Sequence, residues 1–258
     1  MRILVTGASG YLGGYVINEL IKQGHEVIST SRTRPKKIQG TWIRYMIIEK
    51  PNENLFELFE KPDLLIHCAW SGIPNYTEFS QLENFFPQYD FIKNLVRNGL
   101  KDVTVLGTCL EYGKMDGELK EDYNGYDLTY YATAKMRLYE VLKLLPISLK
   151  WCRLFHNYGV GSIFYSLIKH KQDVVDIVDE TQYRDYLPVE TVAKHVVKIA
   201  TQKDVDGIIN VCSGKSTKIV NLAKFINPNV KLNVGNFPKN DFEGDNYFGS
   251  VEKLNKII

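Results

Sequence analysis

Near its start the chain reads Val5-Thr6-Gly7-Ala8-Ser9-Gly10-Tyr11-Leu12-Gly13, which spaces three glycines as G-x-x-G-x-x-G. The residues before this stretch, Arg2 to Thr6, form a short apolar run typical of a buried strand. After it, Leu12, Val16 and Leu20 recur at helical spacing. A strand, a tight glycine turn and a helix in this order predict the opening unit of a doubly wound α/β fold.

The three glycines of this turn suit a bound phosphate. Gly7 permits the tight turn, Gly10 lets the backbone approach a pyrophosphate, and Gly13 allows the helix to pack closely on the strand. Backbone N–H groups and the positive helix end would then hold the phosphates of a dinucleotide. The predicted contacts come from Gly7, Ser9, Gly10, Tyr11, Leu12 and Gly13. A glycine-rich turn without a ligand is the alternative.

Farther along the chain, short apolar runs alternate with longer stretches of helical spacing, a pattern that predicts a parallel sheet covered on both faces. The predicted strands are Arg2–Thr6, Glu26–Thr30, Trp42–Ile47, Leu64–Ala69, Val103–Gly107, Ser148–Leu154 and Ile208–Cys212. The predicted helices contain Leu12 to Ile21 and Phe79 to Leu95, and two others run from about Thr129 to Leu145 and from about Val189 to Thr201.

The composition changes after Asn157, where glycine, proline and asparagine punctuate shorter segments. We expect residues 1–157 to form the dinucleotide-binding domain, with 185–212 returning to it. Residues 158–258 would mainly form a smaller substrate-binding lobe. Within that lobe, Asn227 to Tyr247 is predicted to be surface loop with one short strand.

Composition and charge exclude several classes of protein. The chain has 258 residues, of which 44% are hydrophobic and 24% charged, and its 32 basic and 30 acidic residues leave a net charge of +2. This composition excludes a disordered chain and gives no electrostatic reason to expect a nucleic-acid or membrane partner. The basic run Arg32 to Lys37 is too short to be a tail.

The sequence also bears on where in the cell the protein is found. No run approaches the ~20 residues that span a bilayer, and the first residues enter a strand at once, without a secretory signal. We therefore expect a cytoplasmic protein. Its four cysteines lie in or beside apolar runs, which favours reduced, packed thiols over zinc or disulfide roles.

The end of the second predicted strand bears on the choice of cofactor. In NAD-binding folds an acid there bonds the adenosine ribose. This chain instead reads Ser29-Thr30-Ser31-Arg32-Thr33-Arg34, with two guanidinium groups and no carboxylate. Because Arg32 can pair bidentately with a 2′-phosphate, NADP is favoured over NAD. The alternative is that Arg32 and Arg34 belong to a solvated loop.

Tyr131 and Lys135 stand four residues apart, and therefore on one face of a predicted helix. An ammonium group near a phenol favours the phenolate and lowers its pKa. Alone the pattern is weak, because the chain has 16 tyrosines. Thr108 strengthens it by placing a hydroxyl at the carboxyl end of a predicted strand, where open α/β sheets bind ligands.

Together these motifs resemble the extended short-chain dehydrogenase/reductase family, which contains nucleotide-sugar epimerases, dehydratases and ketoreductases. The resemblance is in order and nearly full length. The segments that carry it are Thr6–Gly13, Asp63–Ala69, Thr108–Gly113, Tyr131 with Lys135, Arg153–Gly159, Arg184–Val189 and Asn210–Gly214. It implies an α/β fold, a Rossmann-type doubly wound parallel sheet with a smaller C-terminal substrate-binding lobe.

The resemblance also implies roles for individual residues. Tyr131 is the expected general acid/base, and Lys135 the residue that lowers its pKa and holds the nicotinamide ribose. Thr108 is expected to bond the substrate oxygen, and Ala69 to line the cofactor site. Arg184 resembles a residue that approaches a sugar nucleotide's diphosphate; an ion pair with Asp185 or Glu190 is the alternative.

Two further residues are candidates for the substrate site. His156 stands where the family often has Asn, which leaves its contacts open. Trp70 follows the fourth strand, where it would line the substrate pocket or shield the adenosine side of the sheet.

Departures from the family narrow the expected reaction. The 4,6-dehydratases have an Asp-Glu pair after the hydroxyl residue, whereas this chain has Cys109 and Leu110, so dehydration is not expected. The Arg-bearing second strand and the short chain favour an NADPH-dependent 4-ketoreductase acting on a nucleotide-linked 4-keto-6-deoxyhexose. The alternatives are a nucleotide-sugar 4-epimerase with tightly bound NAD and a non-catalytic dinucleotide-binding protein.

The resemblance also bears on how copies of the chain assemble. Family members often dimerise through two helices, which here would carry Phe79 to Arg97 and Tyr131 to Leu145. Aromatic Phe85, Phe86 and Tyr89 could form such an interface or pack against the sheet. We expect a homodimer and no metal.

Overall fold

A computed structural model describes residues 1–35, 40–48, 50–170, 174–177, 182–235 and 240–258. Its strands are β1 (Arg2–Thr6), β2 (Glu26–Ser31), β3 (Thr41–Arg44), β4 (Leu64–His67), β5 (Asp102–Thr108), β6 (Gly117–Leu119), β7 (Ser148–Leu154), β8 (His156–Tyr158), β9 (Val175–Ile177), β10 (Tyr183–Pro188), β11 (Gly207–Val211), β12 (Ser216–Lys218), β13 (Leu232–Val234) and β14 (Tyr247–Gly249).

The α-helices alternate with these strands. They are α1 (Tyr11–Lys22), α2 (Leu55–Leu58), α3 (Phe85–Arg97), α4 (Tyr130–Leu142), α5 (Ile163–His170), α6 (Val189–Thr201) and α7 (Ile219–Ile226). Short 3₁₀ helices cover Phe79–Asn84, Cys109–Tyr112 and Leu254–Lys256.

A seven-stranded sheet forms the centre of the molecule, in the order β11-β7-β5-β4-β1-β2-β3. Every pairing within it is parallel. The seven strands predicted from the sequence are the seven strands of this sheet, and the predicted Rossmann-type α/β fold is confirmed. The strand order reverses between β1 and β4, which is where such sheets bind ligands at their carboxyl edge.

Apolar side chains alternate between the two faces of the sheet. Ile3 and Val5 of β1 pack with α1 and α6, whereas Leu4 packs with α2, α3 and α4. Each face is covered by helices, so the strands are buried on both sides and their sequences are continuously apolar. This covering leaves the carboxyl edge as the open side of the sheet.

Smaller sheets join the later part of the chain to the carboxyl edge. β8 pairs with β10, which pairs with β12, and β9 pairs with β13. Helices α5 and α7 share a separate apolar cluster with β9. The last strand, β14, returns to pair with β6 close to the end of β5.

Three predictions about local structure need correction or comment. The strand predicted over Trp42–Ile47 ends at Arg44, because its neighbour in the sheet, β2, ends at Ser31 opposite Arg44. The stretch Asn227–Tyr247 is not all surface, since Glu243 and Tyr247 are buried. Lys36 and Lys37 of the predicted basic run lie outside the described residues.

The cysteines and helices bear on the expectations about redox state and membranes. All four cysteines carry free thiols, and three of them are buried. Among the helices the structure describes, none has the length and apolar character that crossing a membrane requires.

Candidate active site

The glycine turn joins β1 to α1 at the carboxyl edge. Gly7 has φ +70°, and a Cβ on it would lie 2.9 Å from the Ala69 backbone nitrogen. A Cβ on Gly13 would lie 2.2 Å from the Gly7 carbonyl oxygen. Both positions therefore require glycine, and Ala69 and Gly7 adjoin as expected of residues lining one site.

The turn also presents the groups that a dinucleotide needs. Ser9 and Gly10 are exposed, and Gly10 is the N-cap of α1 without a side-chain capping bond. The first N–H groups of a helix lack intrahelical partners and favour anions. The turn therefore fits a pyrophosphate, which Gly10 and its neighbours would bind through the backbone.

A buried hydrogen-bond chain fixes the end of β4 against this turn. Thr6 Oγ1 accepts from the backbone N–H groups of Cys68 and Ala69, both at 3.1 Å. Its own proton then points to His67 Nδ1 at 3.0 Å, while His67 Nε2 lies 2.8 Å from Gln88 Oε1. Burial lowers the pKa of His67 to about 3, so the ring is neutral and donates from Nε2.

Arg32 and Arg34 are exposed just after the end of β2. The Arg34 guanidinium lies 5.9 Å from the centre of the Trp42 ring. Trp42 in turn donates from Nε1 to Ser31 Oγ at 3.1 Å. No carboxylate follows β2 up to Pro35, where this described stretch ends.

The three predicted catalytic residues come together at the carboxyl edge. The Thr108 side chain, at the end of β5, lies beside the Tyr131 hydroxyl. Lys135, one turn along α4, donates to the Leu106 carbonyl oxygen at 2.7 Å, and its Nζ lies 5.9 Å from the Tyr131 ring centre. Thr108 Oγ1 also accepts from the Leu110 N–H at 3.3 Å, which leaves its own proton for an oxygen in the site.

Aromatic side chains from one loop enclose this group. Trp70 packs edge-on against Tyr131 with ring centres 5.7 Å apart, and its ring lies 3.9 Å from Lys135 Nζ. Tyr76 packs on the other side of Tyr131 at 5.2 Å and contacts Phe242 at 6.1 Å. Trp70 therefore lies beside both Tyr131 and Lys135.

Burial controls the protonation of Tyr131 and Lys135 in this structure. It raises the pKa of the Tyr131 phenol above its ordinary value, although the hydrogen bond from Thr108 opposes this shift. Burial also lowers the pKa of Lys135 to about 7, against the opposing effect of the Glu111 carboxylate. The phenol therefore keeps its proton at neutral pH, and the expected lowering of its pKa by Lys135 stays a prediction.

A buried acid that the sequence analysis did not single out organises the floor of the site. Glu111 is fully buried and accepts from the Thr108 backbone N–H at 2.8 Å. It also accepts from Trp151 Nε1 at 3.1 Å and Arg153 Nε at 2.9 Å. Glu111 and Thr108 form a capping box, a Thr-x-x-Glu pattern that is readable from sequence.

His156 and Arg184, the other two predicted substrate residues, meet at one carboxylate. Glu243 Oε1 lies 3.3 Å from Arg184 Nη2, and Glu243 Oε2 lies 3.5 Å from His156 Nε2. His156 also contacts the Tyr247 hydroxyl at 2.7 Å and Cys109 Sγ at 4.0 Å. The ion-pair partner of Arg184 is thus neither Asp185 nor Glu190.

Sequence reasoning missed Tyr76, Phe242, Glu243 and Tyr247. The last three lie in or at the end of a stretch rich in Asn, Asp, Pro and Gly, a composition typical of loops. Nothing local marks them, because their partners are distant in the chain and only the folded structure brings them together.

Comparison with known proteins identifies relatives that cover most of the chain. It is 27% identical over 232 residues to dTDP-6-deoxy-L-talose 4-dehydrogenase (NAD(+)) of Aggregatibacter actinomycetemcomitans, covering 83% of this chain and 85% of that protein. It is 23% identical over 255 residues to dTDP-4-dehydro-6-deoxyglucose reductase of Escherichia coli, covering 87% and 80%.

Solved structures show the same fold. UDP-glucose 4-epimerase of Thermotoga maritima, solved with UDP-glucose, superposes with a TM-score of 0.86 at 20% identity, over 99% of this chain and 92% of that one. MoeE5 in complex with UDP-glucuronic acid and NAD gives 0.84 at 23% identity, over 100% and 92%.

The family itself is shown by a match along most of the sequence. A sequence model of the NAD dependent epimerase/dehydratase family matches residues 3–212, which include the glycine turn, Thr108, Tyr131, Lys135 and Arg184. With the parallel sheet and the glycine turn at its switch point, this match shows that the chain belongs to the NAD dependent epimerase/dehydratase family.

Proposed function

We propose that this protein is a cytoplasmic NADPH-dependent reductase that converts a nucleotide-linked 4-keto-6-deoxyhexose to the 4-hydroxy sugar in deoxysugar or surface-polysaccharide biosynthesis. The observation that carries the proposal is the meeting of Thr108, Tyr131 and Lys135 at the sheet edge beside the glycine turn. Two relatives with 4-dehydrogenase and 4-dehydro-sugar reductase names support it.

The chain's own residues supply the proton half of a ketone reduction. NADPH, when bound, supplies the hydride that adds to C4 of the sugar. Tyr131 donates its phenolic proton to the C4 oxygen, and its raised pKa keeps that proton in place at neutral pH beforehand. Thr108 orients the same oxygen through its hydroxyl, and the Lys135 ammonium stabilises the tyrosinate that remains.

Dehydration is not part of the proposal. Cys109 and Leu110 follow Thr108, and both side chains are buried. Elimination of water needs a base and an acid at the sugar, and neither side chain supplies a carboxyl group. Besides the hydride that NADPH would supply, reduction needs only a proton donor and an oriented carbonyl oxygen.

The choice of NADPH rests on the end of β2. Arg32 and Arg34 are exposed there and can pair with a 2′-phosphate. The Aggregatibacter relative carries NAD(+) in its name. Binding of NADPH and NADH, compared by fluorescence titration, tests the point; we expect NADPH to bind at least tenfold more tightly, and equal affinities would remove Arg32 from this role.

The two parts of the chain divide the work in this proposal. Residues 1–157, with 185–212, bind the dinucleotide, and 158–258 mainly bind the sugar nucleotide. Arg184 contacts the sugar nucleotide from the second part, and His156 contacts it from the end of the first. Trp70 closes the reacting end, where it contacts both Tyr131 and Lys135. We further propose that the protein acts as a homodimer.

The direct test is NADPH oxidation, followed at its absorbance band, with dTDP-, CDP-, GDP- and UDP-linked 4-keto-6-deoxysugars. We expect rapid oxidation with one nucleotide series. If folded protein that binds the cofactor oxidised no NADPH with any sugar of the panel, the proposal would be contradicted. Interconversion of unoxidised nucleotide sugars with tightly bound NAD would then identify an epimerase, and its absence a dinucleotide-binding protein.

A further inference from the structure

Arg184 is buried, but its guanidinium is not fully used. The side chain is 3% exposed, and Nη1 donates to the carbonyl oxygens of Tyr183 at 2.9 Å and Asp245 at 2.8 Å. Nη2 is buried and finds no hydrogen-bond partner among the described residues. Nη2 instead forms an ion pair with Glu243 Oε1 at 3.3 Å, outside hydrogen-bond geometry, so the protein satisfies this edge of the guanidinium only in part.

The group nearest that edge is the Glu243 carboxylate. Its Oε1 is 3.3 Å from Arg184 Nη2, and its Oε2 is 3.5 Å from His156 Nε2 and accepts from the Tyr247 hydroxyl. Although burial disfavours a charged ring, Cys109 and Glu243 raise the pKa of His156 to about 10. The Arg184 guanidinium and the His156 ring therefore each lie beside one oxygen of the same carboxylate.

We infer that Glu243 is an internal competitor for the substrate's diphosphate: its carboxylate holds the place between Arg184 and His156 that a phosphate group takes, and it sets the affinity of the substrate site. The inference rests on the proposed function, because it takes the anion to be the diphosphate of a nucleotide sugar.

Charge supports this identification. A diphosphate diester carries two negative charges, and Arg184 with a protonated His156 carries two positive charges. The charges balance only when the Glu243 carboxylate is withdrawn from the pair. Arg184 also offers the planar donor edge that phosphate oxygens bind well.

Position supports it as well. Tyr76 contacts Tyr131 on one side and Phe242, the residue before Glu243, on the other. Two aromatic rings, those of Tyr76 and Phe242, therefore link the phenol to the segment that carries the anion site. A sugar whose C4 meets Tyr131 would direct its anomeric diphosphate away from the phenol, toward a neighbouring part of the same pocket.

The segment around Glu243 has other anchors, so its charge can be removed without releasing the segment. Asp116 Oδ1 accepts from the backbone N–H groups of Asp245 at 2.7 Å and Asn246 at 2.8 Å. β14 pairs with β6 directly after it. Glu118 lies on β6 and is exposed, which makes Glu118→Gln a matched control for Glu243→Gln.

The test measures binding by calorimetry on the full chain with saturating NADP⁺, using inorganic pyrophosphate and dTDP, UDP, GDP and CDP as probes. We expect Glu243→Gln to tighten pyrophosphate and the preferred nucleoside diphosphate about tenfold, and Glu118→Gln to change neither by more than twofold. In an Arg184→Gln background the gain from Glu243→Gln should disappear, because the two residues act on one site.

Several results would overturn the inference. Unchanged or weaker binding by Glu243→Gln would show that its carboxylate supports the ligand or stands apart from it. A gain that persists without Arg184 would place the anion elsewhere, and no binding by either protein would remove the anion site. If Glu243→Gln does not fold, Tyr247→Phe, which removes one bond that holds the carboxylate, should tighten the same probes about threefold; weaker binding would contradict the inference.

Turnover separates this inference from the function on which it rests. Suppose that the wild-type protein reduces a 4-keto sugar and that Glu243→Gln binds the probes no more tightly. The inference about Glu243 is then wrong, and the proposed reductase function holds. If Glu243→Gln binds tighter and no keto sugar is reduced by either protein, the reductase fails and the competitor stands.

Discussion

At the scale of single residues, the proposed role of Tyr131 as proton donor gives the most direct prediction. Tyr131→Phe removes the proton donor and leaves the aromatic contacts with Trp70 and Tyr76 in place. We expect turnover to fall about 10²–10⁴-fold while NADPH affinity stays within about threefold, as measured by steady-state kinetics and fluorescence titration.

The adjacent Tyr130 provides a matched control for this variant. It is 44% exposed and lies at the first position of α4. Tyr130→Phe should keep full turnover. Near-normal turnover of Tyr131→Phe would remove that residue from the acid's role.

The buried ammonium group of Lys135, a proposed catalytic residue, bears on the stability of the fold. Burial lowers its pKa to about 7, well below the value in an unfolded chain. The unfolded state therefore binds the proton more tightly, and the charge destabilises the fold fully below pH 7 and progressively less up to about pH 10.

Lys135→Met should accordingly stabilise the protein while abolishing turnover. Allowing for the lost bond to the Leu106 carbonyl oxygen, we expect a gain of about 2 kcal/mol at pH 7 in urea unfolding. The gain should shrink as the pH rises toward 10. A less stable Lys135→Met at pH 7 would show that the ammonium supports the fold.

Some site residues were predictable from sequence because their chemistry is local. Thr108 ends strand β5 at the carboxyl edge, and Tyr131 and Lys135 share one face of α4, so each position could be assigned from its own element. Glu243 was not predictable, because Arg184 and His156 reach it only through the return of the chain to β6.

At the scale of elements, a buried ion pair joins β5 to β7 at the edge opposite the site. Lys150 is fully buried and donates to Asp102 Oδ1 at 2.7 Å, while Lys203 contacts the other oxygen from the surface. Asp102→Asn leaves Lys150 without a counter-charge, and we expect a loss of about 3–5 kcal/mol in urea unfolding.

Lys203→Gln is the control for that measurement. Its side chain is 61% exposed, so its loss should cost less than about 1 kcal/mol. If Asp102→Asn proved no more destabilising than Lys203→Gln, the buried pair would not hold these strands together.

Element boundaries were predictable where a local signal sets them. Thr129 caps α4 by accepting from the Ala132 N–H at 3.2 Å, and the helix begins at Tyr130 as the sequence indicates. β3 was predicted too long, because its length depends on where β2 ends and not on its own apolar residues.

At the scale of the whole molecule, the predicted homodimer has a candidate face. Phe79 and Phe86 are 66% and 68% exposed, and Phe79 packs on Tyr130 with ring centres 5.6 Å apart. Phe85 and Tyr89 instead pack partly against the core beside the sheet. Of the aromatic residues proposed for the interface, Phe86 is therefore the one free to contact a second copy.

Phe86→Glu should convert the dimer to a monomer, as measured by light scattering after gel filtration. Phe225→Glu is the control, since Phe225 is 75% exposed on α7. A monomeric wild-type protein, or a Phe86→Glu variant that remains dimeric, would contradict this assembly.

The overall fold was predictable because a strand-and-helix unit repeats through the first 212 residues. A continuously apolar strand followed by a helix can bury its surface only in a covered parallel sheet, and the chain repeats that unit up to β11. The later lobe lacks this repetition. Its short strands depend on distant partners, as β14 does on β6.

The most direct test of the account is the fate of the hydride. NADPH deuterated at nicotinamide C4 is incubated with the nucleotide-linked 4-keto-6-deoxysugar that the protein accepts, and the product is examined by NMR and mass spectrometry. If NADPH delivers its hydride to C4, the product carries one deuterium per sugar, bound at C4, in equal amount to the NADP⁺ formed. A product without deuterium, or with deuterium at another carbon, would contradict this hydride transfer.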